Sequence, residues 1–397
     1  MIKYIRNKQT RVIASISMDF IREKYMSRLT SANRLVGLIG QRGVGKSTLL
    51  LQYLKLNYKV TEYLYFSADD IYIVNSSIYD IADEFVRLGG KVIVIDEIHR
   101  YKNWAMELKS IYDSFPDLTI RFSGSSMLNI LNEKFDLSRR VVIVKMGILS
   151  FREYLKLSNN IEVPLLSFEE IIDTHSEISS LLALENPTLY REFLRYLQIG
   201  AYPFFVEDEI EYKNKLFNAL EKIIAEDIPS LNKIDYTHLS IFRKFIAKLI
   251  YAKVPYQVNI SALCKEFGIS HPTLANYINI LESTKVIRAI RKYSTKLSKK
   301  PEKLLFGNTN TLYTFASEFG VETEIGTVRE SFFVSCFDRV YYSEIGDFVV
   351  GDYIFEIGGK NKTLKQIKDV PNGFLVIDTD YTVDNKRIPL WLFGLMD

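Results

Sequence analysis

The stretch Gly40-Gln41-Arg42-Gly43-Val44-Gly45-Lys46-Ser47 lies between an apolar run that ends at Gly40 and a helical pattern that begins at Lys46. It satisfies the pattern G-x-x-x-x-G-K-[ST] in the strand, loop and helix context that a phosphate-binding loop requires. Glycines at 40, 43 and 45 let backbone N–H groups approach phosphate oxygens beside the positive end of the helix. We predict that these residues and Thr48 bind the phosphates of ATP, with Lys46 on the β- and γ-phosphates and Ser47 on Mg²⁺.

An acidic motif follows a second apolar run, at residues 91–97, which ends in Asp96 and Glu97. This pattern is typical of the strand that supplies a magnesium ligand beside a phosphate-binding loop. We predict that Asp96 binds Mg²⁺, directly or through water, and that Glu97 orients and deprotonates the attacking water. Acidic residues at a strand end are often simple solvated loop residues, an interpretation that the neighbouring phosphate loop disfavours.

Two later positions are candidates for contact with the γ-phosphate. Ser123 follows the next apolar run, where a sensor of the γ-phosphate would lie, although a serine there also serves as a helix cap. Arg139 and Arg140 precede another strand, and we assign Arg140 as an arginine finger on the nucleotide of its own or a neighbouring molecule. An ordinary basic pair on the surface is the alternative.

Strand-like apolar runs alternate with helical patterns in this part of the chain. The strands are expected at residues 34–40, 63–66, 91–95, 118–122 and 141–146. Each is apolar almost throughout, which favours a parallel sheet that helices cover on both faces. The predicted fold class is therefore α/β, with the parallel sheet of a P-loop nucleoside triphosphatase.

Other patterns lie on either side of this α/β region. Residues 10–30 have a helical pattern, and residues 151–235 predict several helices without strands. Residues 260–281 predict two short helices joined by a glycine turn. Beyond Pro301, closely spaced strands return and indicate a second α/β unit.

Composition limits the classes of protein. A chain of 397 residues exceeds what one hydrophobic core supports, and 47% hydrophobic with 25% charged residues is ordinary for a globular protein. The two cysteines, Cys264 and Cys336, form neither a disulfide framework nor a zinc motif, so we expect a reducing, cytoplasmic setting. A basic start and the lack of a long apolar run predict neither export nor membrane spanning.

Several motifs together resemble one family, the prokaryotic AAA-type ATPases with a C-terminal winged helix and a restriction-endonuclease-like domain. The similar segments are residues 40–48, 94–98 with Trp104, 123–126, 149–154 and 200–203. The resemblance spans nearly the whole chain, and the physiological role of the family is largely undefined. Two positions depart from its pattern: Arg139 stands where a glycine usually precedes the arginine, and Ala201 stands where glycine is usual.

The resemblance and the patterns predict five segments. They are an N-terminal helical segment (1–30), a P-loop ATPase core (31–156), a helical lid (157–235), a winged helix (236–300) and a nuclease-like α/β domain (301–397).

The predicted winged helix has two interpretations. As a DNA-binding module, its second helix would turn Thr273, Asn276 and Tyr277 to a groove, and basic residues would contact phosphates. The basic cluster comprises Lys285, Arg288, Arg291, Lys292, Lys296, Lys299, Lys300 and Lys303. As a protein-contact module, the same fold needs no DNA.

The predicted nuclease-like domain contains Gly346-Asp347-Phe348 and Phe355-Glu356-Ile357-Gly358-Gly359-Lys360, which resemble the D…E-x-K metal site of restriction-like nucleases. Such a site needs two carboxylates for Mg²⁺ and a lysine near the attacked phosphate. Glycine occupies position 358, where the lysine is expected, and Lys360 follows a Gly-Gly break that would loosen the strand. We therefore expect no efficient DNA cutting.

Taken together, the residues predict a cytoplasmic, Mg²⁺-dependent ATPase that acts as a switch or remodeller. Its C-terminal modules would select double-stranded DNA or a protein partner, with a homo-oligomer as one form of assembly. Two alternatives stay open: a nucleotide-sensing binding protein with negligible turnover, and an ATP-regulated nucleic-acid hydrolase that uses Asp347 and Glu356.

Overall fold

The computed structural model describes residues 1–124, 137, 139–229, 234, 238–252, 255–293 and 300–396. The chain divides into two compact units, Met1–Ile148 and Leu149–Asp397. Within the described ranges, no helix combines the length and the hydropathy that a bilayer crossing requires.

A five-stranded parallel sheet forms the centre of the first unit. Its strands are β1 (Leu35–Gly40), β2 (Tyr63–Ser67), β3 (Val92–Asp96), β4 (Thr119–Gly124) and β5 (Val141–Met146). They lie in the order β2-β3-β4-β1-β5. Every residue of β1 and β3 is buried, as continuous apolar runs require when both faces of a sheet are covered. The strands predicted from the sequence are confirmed to within two residues at each end.

Helices cover this sheet. They are α1 (Ile2–Ala14), α2 (Glu23–Leu29), α3 (Lys46–Asn57), α4 (Ile78–Arg87) and α5 (Trp104–Ser114), with a 3₁₀ turn at Ile98–Arg100. The side chain of Ser77 caps α4 by accepting a hydrogen bond from Asp80 N. The indole of Trp104 packs on the ring of Phe122, with 5.9 Å between ring centroids, and so joins α5 to β4.

The N-terminal segment is not one continuous helix, so the helical pattern predicted over residues 10–30 is wrong at its centre. Residues 15–22 separate α1 from α2. The side-chain amide of Gln52 donates to the carbonyl oxygens of Ser17 and Phe20, each at 2.9 Å. These tertiary hydrogen bonds satisfy carbonyls that a helix would use internally, so the segment is not helical where it contacts α3.

The second unit begins with helices. They are α6 (Phe151–Asn159), α7 (Phe168–Glu185), α8 (Leu189–Ile199), α9 (Tyr212–Lys222), α10 (Leu239–Ile250), α11 (Ile260–Phe267), α12 (His271–Ser283), α13 (Thr309–Glu318) and α14 (Ile325–Ser335). A π-helical turn, Ile223–Asp227, extends α9. Ser150 with Glu153 and Ser167 with Glu170 form capping boxes that fix the starts of α6 and α7.

One eight-stranded sheet runs through the second unit. Its strands are β6 (Tyr256–Gln257), β7 (Ile287–Lys292), β8 (Lys303–Phe306), β9 (Tyr341–Tyr342), β10 (Phe348–Val350), β11 (Tyr353–Gly359), β12 (Gly373–Asp378) and β13 (Arg387–Pro389). The order is β13-β12-β11-β10-β9-β7-β8-β6. Since β7 pairs in parallel with β9, the strands of the predicted winged helix and of the predicted nuclease-like domain share this sheet.

The segment 200–203, one of the motifs that carry the resemblance, is held by a buried asparagine. Asn310 is 0% exposed, and its Oδ1 accepts a hydrogen bond from Ala201 N at 2.9 Å. Its Nδ2 donates to the carbonyl oxygens of Tyr196 and Leu197, also at 2.9 Å. At Gly200, a Cβ atom would lie 2.4 Å from the ring of Tyr196, so packing explains the glycine.

Candidate functional site

The loop between β1 and α3 has the backbone that its glycines predict. Gly43 and Gly45 have φ angles of 82° and 94°, in the left-handed region that glycine adopts readily. Gly40 has a different reason, because a Cβ atom there would lie 2.3 Å from the carbonyl oxygen of Met146 on β5. The loop therefore passes closely over the sheet and ends at the N-terminus of α3, where free N–H groups attract anions.

Lys46 is the first residue of α3, and its side chain reaches back to the loop. Lys46 is only 5% exposed, and its Nζ donates to the carbonyl oxygens of Gly40 at 3.0 Å and Gln41 at 2.8 Å. The ammonium group is thus held at the centre of the loop, where it would meet the phosphates of a bound nucleotide. Ser47 is half-buried and Thr48 is exposed in the first turn of α3.

Asp96, at the carboxyl end of β3, accepts a hydrogen bond on each carboxylate oxygen. The hydroxyl of Ser123 on β4 donates to Oδ1, and the hydroxyl of Tyr65 on β2 donates to Oδ2 at 2.9 Å. Asp96 is 5% exposed and Ser123 is fully buried. Burial, together with the negative charge of Asp96, raises the pKa of Tyr65, so its hydroxyl stays protonated and donates.

Ser123 also contacts the next acidic residue, since its Oγ accepts a hydrogen bond from Glu97 N at 3.1 Å. Its hydroxyl therefore joins the end of β4 to both acidic residues, which neither the phosphate-sensor nor the helix-cap interpretation anticipates. The following residues of the quoted motif, Ser125 and Ser126, lie outside the described residues.

Glu97 has an unusual backbone for a residue with a side chain, with φ at 50°. Such a conformation costs about 1 kcal/mol or more and is concentrated at functional sites. Its Oε2 lies 3.4 Å from Nε2 of His99, whose side chain is almost completely buried. The carboxylate that we predict as the general base is therefore held in a defined position by its backbone and by a histidine.

The donor set suits a magnesium ion bound with ATP. A serine hydroxyl at the start of α3 and a carboxylate at the end of β3 are oxygen ligands of the kind that Mg²⁺ prefers, and phosphates and water would complete its shell. Ser47 and Asp96 would hold the ion. When bound, it would neutralise charge on the β- and γ-phosphates.

Arg140 does not lie at this site. The guanidinium forms a bidentate ion pair with Asp113 on α5, at 2.8 and 3.0 Å. Arg140 immediately precedes β5, whose first residue pairs with Leu35 at the amino end of β1. The phosphate loop follows the opposite end of β1, so the predicted finger on the nucleotide of the same molecule is wrong. A role on a neighbouring molecule's nucleotide stays a prediction.

Comparison with known proteins agrees with this geometry. Residues 32–155 match the sequence family described as an AAA domain. The chain carries an AAA-type domain. The parallel five-stranded sheet with its loop after β1 fits a P-loop nucleoside triphosphatase, which supports nucleotide binding by this part of the chain.

Further matches extend toward the C-terminus. Residues 190–316 match a domain of unknown function, DUF8612, and this range includes both the segment 200–203 and Asn310. An uncharacterized protein of Methanocaldococcus jannaschii, MJ1637, is 30% identical over 307 residues, which are 72% of this chain and 64% of that protein. The match therefore spans slightly less than two-thirds of the relative's length.

A solved structure is also similar to part of the chain. The structure of PCH-2 from C. elegans aligns with 48% of this chain and 61% of that chain, at 15% sequence identity and a TM-score of 0.24.

The predicted DNA-contacting residues of the second unit are mostly engaged within the protein. Arg288 donates to the carbonyl oxygens of Phe337 and Asp338, at 2.7 and 2.6 Å, and Arg291 pairs with Glu282 at 2.8 Å. Both guanidinium groups are therefore engaged by protein oxygen atoms, and their contact with DNA phosphates stays a prediction.

The other residues of the predicted DNA interface differ in their exposure and in their contacts. Lys292 pairs with Glu344. Tyr277 is 6% exposed and packs on Phe242, with ring centroids 4.6 Å apart, so its predicted position facing a groove is wrong. Asn276 is exposed and Thr273 is half-buried. Lys296 and Lys299 lie outside the described residues.

The C-terminal carboxylates have a lysine partner that the sequence analysis missed. Nζ of Lys362 lies 2.6 Å from Oε1 of Glu356. The stem of Lys362 crosses Gly358, where a Cβ atom would lie 2.6 Å from the lysine Cβ and Cγ atoms. The strand β11 continues through Gly359, so the predicted Gly-Gly break is also wrong.

A second lysine joins two further carboxylates. Lys303 Nζ lies 2.6 Å from Oε2 of Glu330 on α14 and 3.3 Å from Oδ1 of Asp347, whose Oδ2 accepts from Ile357 N at 2.9 Å. Burial raises the pKa of Glu330 to about 7, although Lys303 opposes the shift. We call Lys303, Glu330, Asp347, Glu356 and Lys362 the C-terminal charged cluster.

Sequence signals existed for some of the missed residues. On β2, Ser67 lies opposite Asp96, and Tyr65 is two residues before Ser67, so its side chain is on the same face of the sheet. Lys362 lies in a turn after Gly359, in which Lys362 N donates to the carbonyl oxygen of Gly359 at 2.9 Å. Lys303 and Glu330 are distant in sequence from Asp347, so only tertiary structure joins them.

Proposed function

We propose that the chain binds and hydrolyses ATP with Mg²⁺ at the loop between β1 and α3. The observation that carries the proposal is the position of Lys46, Asp96 and Glu97 at one edge of the sheet. The loop follows the carboxyl end of β1, the acidic pair follows the carboxyl end of β3, and Ser123 on the intervening β4 bonds to the acidic pair. Ligands of open parallel sheets bind at this edge.

Each residue has a distinct role in this proposal. Backbone N–H groups of residues 40–48 and the ammonium group of Lys46 would hold the phosphates, and Ser47 and Asp96 would hold Mg²⁺. Glu97 would accept a proton from the attacking water and orient it toward the γ-phosphate. Asp96 is held by Ser123 and Tyr65, and Glu97 is held by His99. These contacts support the proposal that the site is already formed before the nucleotide binds.

A test of the proposal is the steady-state release of phosphate by the full chain in magnesium buffer. We expect turnover by the wild-type protein and none by Lys46→Ala. The rival function, a nucleotide-sensing protein with negligible turnover, predicts tight ATP binding without phosphate release, whether or not a DNA duplex is present. A wild-type protein that binds no ATP would refute both.

We further propose that ATP acts as a switch for modules of the second unit, which would select the partner. The internal ion pairs of Arg291 and Lys292 favour a protein partner over DNA, because phosphates would have to displace Glu282 and Glu344. The test is a gel-shift titration of a DNA duplex with Mg²⁺-ATP at low salt. A shift with a steep salt dependence would favour DNA instead.

A second candidate function is an ATP-regulated hydrolysis of nucleic acids, and Lys362 is the observation that favours it. Its side chain occupies the space above Gly358, where the D…E-x-K pattern needs a lysine beside Glu356. One observation opposes this candidate: among the described side chains, no three acidic, histidine or cysteine groups are arranged to hold a metal ion. The lysines would have to move before a metal binds.

Plasmid DNA provides the test of this candidate. Wild-type protein with Mg²⁺ or Mn²⁺ should nick the plasmid, and both Asp347→Ala and Lys362→Ala should abolish nicking while Lys360→Ala retains it. Intact plasmid after incubation with the wild-type protein would remove the candidate. Nicking that persists in Asp347→Ala would indicate a contaminating nuclease.

A further inference from the structure

A phenylalanine at position 65 would pack as Tyr65 does, so the hydroxyl of Tyr65 is needed only for its hydrogen bond to Asp96. Tyr65 lies on the edge strand β2, opposite Val94 on β3, and its ring is half-buried. Asp96 is two residues beyond Val94 and therefore points to the same face of the sheet. The tyrosine is long enough to reach it diagonally, and its hydroxyl donates to Oδ2 at 2.9 Å.

This contact determines the orientation of the Asp96 carboxylate. Rotation about the Cβ–Cγ bond would break the hydrogen bond from Tyr65 to Oδ2 and the one from Ser123 to Oδ1. Each carboxylate oxygen has about two lone pairs. Oδ1 accepts from the Ser123 hydroxyl and from Glu97 N at 3.2 Å, whereas Oδ2 accepts from Tyr65, so Oδ2 has room for a metal ion or its bound water. Two hydroxyls on neighbouring strands thus fix an oxygen ligand without neutralising its charge.

The backbone of Tyr65 is itself anchored. Its N–H points away from β3, on the open edge of the sheet, and donates to Oε1 of Gln9 at 2.9 Å. Gln9 is 1% exposed and lies on α1. The N-terminal helix therefore holds the strand from which the hydroxyl reaches Asp96, which limits the movement of Tyr65.

We propose that Tyr65 is a positioning residue for the magnesium ion of the bound nucleotide, acting through its hydrogen bond to Asp96. The inference rests on the proposed function, because Asp96 holds Mg²⁺ only if the loop holds a nucleoside triphosphate. Loss of a residue that orients a metal ligand typically lowers metal affinity about 10- to 100-fold. Tyr65 touches neither the nucleotide nor the reacting water in this proposal.

Tyr63 offers a matched control on the same strand and face. It is 4% exposed, lies opposite Val92 and is therefore one pair further from Asp96. Tyr65→Phe and Tyr63→Phe each remove one hydroxyl from β2 and keep the ring. Only the first removes a hydrogen bond to the predicted magnesium ligand.

The experiment measures binding of methylanthraniloyl-AMPPNP, a fluorescent and slowly hydrolysed ATP analogue, to the full chain. Affinity is determined in EDTA and across a series of free Mg²⁺ concentrations, with thermal unfolding midpoints as a check of folding. We expect equal affinities in EDTA for wild type and both variants. The Mg²⁺ concentration for half-maximal enhancement should rise about 10-fold or more in Tyr65→Phe and stay unchanged in Tyr63→Phe.

Four results would overturn the inference. Superimposable Mg²⁺ curves for wild type and Tyr65→Phe would show that the hydroxyl does not position the ligand. An equal loss of affinity in EDTA and in Mg²⁺, or an equal shift in Tyr63→Phe, would indicate a general structural role. Nucleotide binding by the wild type without any Mg²⁺ enhancement would refute the magnesium part of the proposed function, and the inference with it.

Discussion

Nζ of Lys46 donates to the carbonyl oxygen of Gln41 at 2.8 Å, so the lysine side chain is hydrogen-bonded to the loop that precedes it. Both residues are more than nine-tenths buried. A phosphate that enters the loop would bring negative charge next to this ammonium group, and a charge-assisted hydrogen bond is stronger than one to a neutral carbonyl. Phosphate binding would therefore be favoured by a cation that is already in place.

Replacement of Lys46 by alanine should weaken ATP binding about 10- to 100-fold. The change removes a charged hydrogen bond to phosphate, which contributes about 1.5 to 3 kcal/mol. Titration of methylanthraniloyl-ATP fluorescence measures the affinity. Lys55→Ala is the control, because Lys55 lies on the same helix with its ammonium group on the carbonyl oxygen of Ile16. Equal affinities for wild type and Lys46→Ala would exclude the loop as the nucleotide site.

Replacement of Glu97 by glutamine should preserve ATP binding and lower the turnover by about 10²- to 10⁴-fold, the usual contribution of a general base. Glutamine has nearly the same shape and can keep the contact with His99, so the loss would come from basicity. Phosphate release and nucleotide affinity are measured on the same preparation. Asp69→Asn, an exposed acidic residue just beyond β2, is the matched control. Unchanged turnover in Glu97→Gln would assign the proton transfer to another group.

The first unit could largely be predicted from the sequence because its signals are local. Each parallel strand is one continuous apolar run, and the glycines of the loop predict the positive φ angles at positions 43 and 45. The position of Arg140 could also be predicted from the sequence. Arg140 precedes β5 and the phosphate loop follows β1, and in a parallel sheet these two places lie at opposite edges. The apolar spacing of Leu274, Tyr277, Ile278 and Leu281 likewise indicates a buried Tyr277.

The remaining errors have tertiary causes. The break at residues 15–22 depends on Gln52, which lies on a different helix. The pairing of Lys362 with Glu356 depends on the turn after Gly359, and a lysine side chain can reach several positions from such a turn. A sequence pattern that fixes the lysine two residues after the glutamate cannot represent this geometry, although the ammonium group arrives at the same carboxylate.

Lys362 and Lys360 should therefore differ in their contributions to stability. Glu356 has a side chain that is 3% exposed, and Lys362→Ala would leave its carboxylate without this partner. Because Lys362 itself is 39% exposed, solvent screening reduces the expected loss to about 1 to 2 kcal/mol. Lys360 is exposed, and Lys360→Ala should change stability by less than about 0.5 kcal/mol.

Urea unfolding measures this difference in a Trp104→Phe background. The chain has two tryptophans, so Trp391 then reports on the second unit alone. Equal free energies of unfolding for Lys362→Ala and Lys360→Ala would contradict the pairing of Lys362 with Glu356.

The pH dependence of stability should reveal Glu330. Its pKa is about 7 in the folded chain, against an ordinary value of 4.5, because burial disfavours the charged carboxylate. Between these values the folded state binds more protons than the unfolded state, so the contribution of Glu330 to stability falls as the pH rises from about 4.5 to 7. The full change is about 3 kcal/mol, since one pKa unit corresponds to about 1.4 kcal/mol.

Glu330→Gln removes this titration and leaves Lys303 with Asp347 as its partner. The free energy of unfolding of the variant, minus that of the wild type, should therefore increase by about 3 kcal/mol between pH 4.5 and pH 8, in the transition that Trp391 reports. Glu344→Gln is the control. Its hydrogen bond with Lys292 lowers the pKa of Glu344, so the folded state binds fewer protons there than the unfolded state, and the difference for Glu344→Gln should not increase with pH. A difference for Glu330→Gln that likewise does not increase would mean that Lys303 keeps Glu330 charged throughout, and that the C-terminal charged cluster holds a permanent ion pair.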